Sequence, residues 1–208
     1  MASLSESDKR ALEAAVVAAE TRTSAEIVVA VVEMCDDYRV HTVPYATVIG
    51  FGVFGALALF VPDLHVRMAF LLTGAVTLAV AAALQWPPLR LMAAPRAARE
   101  EAADRLARAE YAALVAGRTA AVNGLLVFVA LAERHAEIVP EPELAGAVPQ
   151  AVWQKIMDDL IAELKAGRTI DGIRAAIVAC GEAAAAAFPA TANDRDEIGN
   201  APHVAPPR

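Results

Sequence analysis

Apolar positions are unevenly spread along this chain, and their spacing changes character several times. Ser5 stands three residues before Asp8, and Leu12, Ala15, Val16 and Ala19 then recur on one face, which predicts a capped amphipathic helix of about four turns. Glu26 to Glu33 (EIVVAVVE) is a short, β-branched, nearly continuous apolar run, the pattern of a central strand covered on both sides. Val43–Val61 and Val66–Trp86 are longer. The first has 19 residues without a charge, and the second carries only Arg67, near its start. At about 1.5 Å per residue each covers a hydrocarbon layer of about 30 Å. Only Pro62–His65 separates them, so the pair predicts an antiparallel transmembrane hairpin. Gly50, Gly52, Gly55, Ala56, Gly74, Ala75 and Ala79 are the small residues that would let two helices approach closely in lipid.

After the hairpin, Pro95 offers a helix start, and Ala98, Ala102, Leu106, Ala109 and Ala113 follow at helical spacing. Asn123-Gly124 opens a second buried strand, Leu125–Ala132. Glu133-Arg134 turns the chain into a third, His135–Val139. Val152, Trp153, Ile156, Leu160 and Leu164, then Ile173, Ile177, Cys180, Ala184 and Phe188, mark two amphipathic helices separated by Gly167. The stretch from about Thr191 has no periodicity and reads as a disordered tail. Neither polar piece is large enough to close its own core. They predict one α/β/α sandwich around a small mixed sheet of three or four strands, formed by residues 1–40 and 95–189, interrupted by the hairpin at 43–86 and followed by a tail at 190–208.

Composition agrees with a membrane protein: of 208 residues 57% are hydrophobic and 21% charged. Arg39 precedes the first span and Arg90, Arg96 and Arg99 follow the second, while the connection side holds only Arg67. The positive-inside bias then predicts both termini in the cytoplasm and a multi-pass protein of the bacterial inner membrane, with lipid and other membrane proteins as partners. The net charge of −7 and the absence of a basic stripe argue against nucleic acid. Cys35 and Cys180 form neither a disulfide framework nor a metal knuckle, and Cys180 lies on an apolar helical face. The N-terminus has no apolar run after its charges, so a cleavable signal peptide is not expected.

Chemistry is sparsely marked. No G-x-S-x-G, P-loop or dinucleotide fingerprint is present, and neither cysteine has an arginine six positions on. Asp36-Asp37, just past the first strand, are candidate ligands for a hard cation, because ligands gather at strand ends and such cations favour clustered carboxylates. The same pair also reads as a solvated turn. Glu141 and Glu143 could complete that site if the two strand ends are neighbours. His135-Ala136-Glu137 has the H-x-E spacing of zinc deaminases, but no P-C-x-x-C accompanies it, and on a strand the two side chains share a face as a polar pair.

Several short motifs, in order, resemble one family. Thr23–Val29, Asp36-Asp37-Tyr38-Arg39, Asn123–Ala130, Glu133–Ile138, and the closing stretch from Val152-Trp153 through Ala166-Gly167-Arg168 and Asp171-Gly172-Ile173 to Phe188-Pro189 are similar to the TPM-domain family, in particular its bacterial membrane members with a two-span insertion. The resemblance implies the sandwich fold and a divalent cation, Ca²⁺ or Mg²⁺, bound by acidic residues at strand ends. Carried over, the metal residues are Asp36 and Asp37, with Glu141 a substitute for an aspartate that family members carry soon after the third strand. The function implied is a cytoplasm-facing binding or assembly module for membrane-protein maintenance; the alternative is a divalent-cation-dependent phosphatase.

Overall fold

The structure is a computed structural model, and it describes residues 4–116, 118, 123–190 and 198–205. It divides into two compact units, residues 1–35 with 100–208, and residues 36–99. The first is the interrupted α/β domain, and the second carries the apolar helices.

In the first unit, β1 (Ile27–Val32) is buried at all six positions, as its unbroken apolar run requires. It sits centrally in a mixed four-stranded sheet of order β3-β2-β1-β4. β2 (Leu125–Ala130) runs parallel to it with Ile27 opposite Leu125 and Val32 opposite Ala130. β3 (His135–Pro140) returns antiparallel to β2, pairing His135 with Ala130 and Pro140 with Leu125. The turn between them uses Arg134 in the left-handed region, at φ 53°.

One face of this sheet, with Ile27, Val29, Val31, Leu125, Val127 and Val129, packs on three helices: α1 (Glu6–Glu20), α7 (Gln150–Lys165) and α8 (Thr169–Ala185). Helix α1 begins with the expected capping box, in which Ser5 accepts from the Asp8 amide and the Asp8 carboxylate accepts from Ser5. Gly167, at φ 79°, makes the turn from α7 into α8. Two glycines let α8 lie close to its neighbours: a Cβ on Gly181 would come within 2.8 Å of the Ala19 Cβ in α1, and one on Gly172 within 2.6 Å of the Glu163 Cβ in α7. Cys180 is fully buried in this core, and desolvation pushes its thiol up to about 12.

The other face carries Val28, Ala30, Val32, Leu126, Phe128 and Ala130, all buried, beside His135 and Glu137 of β3. Helix α5 (Arg96–Leu114) is tied to this side through Asp104, near His135, and Glu110, near His203. Its buried positions are Ala102, Ala103, Leu106, Ala107 and Glu110; Ala109 and Ala113, expected on the inner face, are exposed. An alanine-rich helix offers little contrast between its sides, so spacing alone misplaced the stripe.

Three elements lie outside the expectations. Short helices α4 (Pro87–Ala93) and α6 (Pro142–Ala147) each begin on a proline, which suits the first turn of a helix. The region read as a disordered tail contains β4 (His203–Ala205), which pairs parallel to β1 with His203 opposite Ala30. Three residues are too few for a periodic signal, and the edge of β1 supplies what they lack. Residues 191–197 of that tail lie outside the described residues.

In the second unit, α2 (Thr42–Phe60) and α3 (Val66–Ala83) are packed side by side and joined by a short turn. Their outward side chains are exposed: Phe51 at 75%, Phe60 at 82%, Phe70 at 72% and Leu78 at 73%. Of the glycines expected to allow close approach, Gly50 faces Thr77 of α3, whereas Gly52, Gly55 and Gly74 would meet nothing within 4 Å.

Candidate functional site

The acidic pair Asp36-Asp37 directly follows Cys35, where the chain has left β1. Both side chains are used locally: Asp36 Oδ1 accepts from the Tyr38 amide at 3.3 Å and Asp37 Oδ1 from the Arg39 amide at 3.0 Å. The Arg39 Nε lies 3.2 Å from Asp37 Oδ2. Tyr38 adopts φ 53°, and a 3₁₀ turn, Arg39–His41, leads into α2. These carboxylates thus shape the turn that starts the first apolar helix.

Glu141 stands elsewhere. Its amide donates to the Gly124 carbonyl at 2.8 Å, and its Oε2 accepts from the Gly124 amide at 2.7 Å. That is the end of the sheet where β1 and β2 begin. The other end of β1 lies six residues along, and there the Cys35 amide donates to Glu133 Oε1 at 2.9 Å, beside the β2–β3 turn. Asp36 and Asp37 thus share one turn as sequence neighbours, and Glu141 belongs to the other unit, held at Gly124. Near it, the Tyr111 hydroxyl is held above its ordinary range by burial, and then by the negative charges of Glu141 and Glu143.

A different group converges on the face covered by α5. Period-two geometry puts His135 and Glu137 on one side of β3, and Asp104 projects toward them from α5. One potential ligand atom from each of the three lies within 4.8 Å of the others. The His135 Nε2 is 3.5 Å from Asp104 Oδ1. That Nε2 and the Glu137 Oε2 are buried atoms without a hydrogen-bond partner. Burial raises the Glu137 carboxyl above its ordinary range, the Asp104 carboxylate raises it further, and His135 and Arg108 partly offset the two. The H-x-E spacing signalled two members of this group; Asp104, 31 positions before His135 on a separate helix, carries no local signal.

The segment that builds this group also matches a known family, since residues 90–183 fit the family model of the TPM domain. That segment is similar to a TPM domain. Asp104, His135, Glu137 and Glu141 all lie within the matched TPM segment, and Asp36 and Asp37 precede it. Among solved structures, the chain is similar to the NMR structure of the BA42 protein from the psychrophilic bacterium Bizionia argentinensis. That likeness has a TM-score of 0.60 and 17% sequence identity, covering 97% of this chain and 95% of the other. It speaks to the shared fold. No curated protein sequence matches the chain.

Proposed function

We propose that this protein holds its TPM domain at the cytoplasmic face of the bacterial inner membrane through the α2–α3 hairpin, as a binding or assembly module for other membrane proteins. The observation that supports this reading is the exposed apolar flank of two helices long enough to cross a bilayer: 11% of the residues in the apolar window of the first are buried, and 6% in that of the second. A buried core helix of a water-soluble protein would be mostly covered. Left in water, a continuous apolar surface of this kind is strongly unfavourable, and lipid removes that cost. The arginines favour the stated orientation: Arg39 precedes the first span and Arg90, Arg96 and Arg99 follow the second, while Arg67 lies beside the connecting turn.

The test is fractionation of cells expressing the full chain, followed by labelling of a single cysteine placed at Asp63 in a Cys35→Ser/Cys180→Ala background. Retention in carbonate-washed membranes and labelling by an impermeant maleimide from the periplasmic side support the reading. Recovery in the aqueous fraction, or labelling only after the inner membrane is opened, overturns it. Phosphomonoester turnover by the purified protein that depends on Ca²⁺ or Mg²⁺ would favour the phosphatase reading instead.

A further inference from the structure

We infer that Asp104, His135 and Glu137 form a binding site for a first-row transition-metal dication, for which Zn²⁺ is the natural probe. The first support is distance. At 3.5 Å the His135 Nε2 and Asp104 Oδ1 stand beyond the usual hydrogen-bond range. With zinc bonds of about 2.0–2.1 Å in a tetrahedron, two donor atoms sharing one ion lie about 3.3 Å apart, close to the separation found. The third donor, from Glu137, lies within 4.8 Å of both.

The second support is the state of the donor atoms. The His135 Nε2 and the Glu137 Oε2 have been removed from solvent without receiving a hydrogen bond, and a buried polar atom in that state costs free energy that a bound cation recovers. Two carboxylates face one imidazole, so the site has surplus negative charge; Arg108 is the further cation acting on Glu137. The imidazole sets the class of metal. Ca²⁺ and Mg²⁺ take oxygen ligands, whereas one nitrogen with two carboxylate oxygens suits Zn²⁺ and its neighbours. The strand supplies two ligands in fixed register and α5 the third, leaving a fourth position for water. This site is separate from the acidic turn at Asp36-Asp37, and it does not depend on the membrane reading.

Calorimetric titration of the chelator-treated full chain in detergent micelles with Zn²⁺, Ca²⁺ and Mg²⁺ tests the proposal. Expected are one Zn²⁺ per chain, a raised Tm, and at least 100-fold weaker binding of Ca²⁺ and Mg²⁺. His135→Gln and Glu137→Gln each weaken Zn²⁺ at least 10-fold, and Asp36→Asn/Asp37→Asn leaves it unchanged. Co²⁺ substitution gives a second readout: visible bands of a four-coordinate site without thiolate charge transfer, lost in the isosteric Glu137→Gln variant. Absence of Zn²⁺ uptake, unchanged affinity in either ligand variant, or a loss confined to the Asp36/Asp37 variant overturns the proposal.

Discussion

Glu141 and Gly124 hold each other twice, amide to carbonyl at 2.8 Å and amide to carboxylate at 2.7 Å, at the end of the sheet where β2 begins. Glu141 is 2% exposed, so its carboxylate has left water and relies on such partners. Truncation in Glu141→Ala leaves the buried Gly124 amide unsatisfied and is expected to cost about 1.5–3 kcal/mol, the range for a hydrogen bond to a charged group. Glu141→Gln keeps an acceptor oxygen and should lose less. Denaturant unfolding of the full chain in micelles measures both, and equal loss in the two variants would count against this role.

Glu137 should set a pH dependence of opposite sign to an ordinary ion-paired carboxylate. Burial and Asp104 raise its folded-state value above the usual 4.5. Its contribution to stability is therefore present below that ordinary value and is lost as pH rises through the raised one. In the metal-free protein at neutral pH, Glu137→Gln is expected to increase Tm, with the gain shrinking as pH falls below the ordinary carboxylate range. Added Zn²⁺ should reverse the order, because only the glutamate can supply a charged ligand. A Tm difference independent of pH would refute the argument.

Gly181 is required by the approach of α8 to α1. A methyl there meets the Ala19 Cβ at 2.8 Å and its Cα at 3.3 Å, too near for contact without a shift of the backbone. Gly181→Ala should destabilise by about 1–3 kcal/mol despite the better helix propensity of alanine. Ala19→Gly combined with Gly181→Ala should recover part of the loss, which a double-mutant cycle reads directly.

Within the hairpin, a side chain at Gly50 would run into the Thr77 hydroxyl, which is itself bonded to the Thr73 carbonyl at 2.8 Å. Gly50→Leu is expected to separate α2 from α3 and lower the temperature of thermal aggregation in detergent. Gly52→Leu, where an added Cβ meets nothing within 4 Å, should leave that temperature unchanged or raise it. Equal effects at the two positions would show that Gly50 is not the contact.

Local chemistry alone determined a large share of this protein. The capping residues Ser5 and Asp8, the unbroken apolar run of β1, the Glu133-Arg134 turn and the two long apolar segments each settle their element through interactions within a few residues, so each could be read in order along the chain. What those signals could not contain is decided by partners far away in sequence. β4 is a strand because β1 offers it an edge, and the buried stripe of α5 is chosen by the sheet face it covers rather than by its own alanines. Sheet register also decides the place of Glu141: the antiparallel return of β3 sends it to the end of the sheet where β2 begins. That same return sets His135 and Glu137 on one face, and the packing of α5 brings Asp104 to them. Spacing along a strand says which side chains share a face; only tertiary packing says what stands opposite.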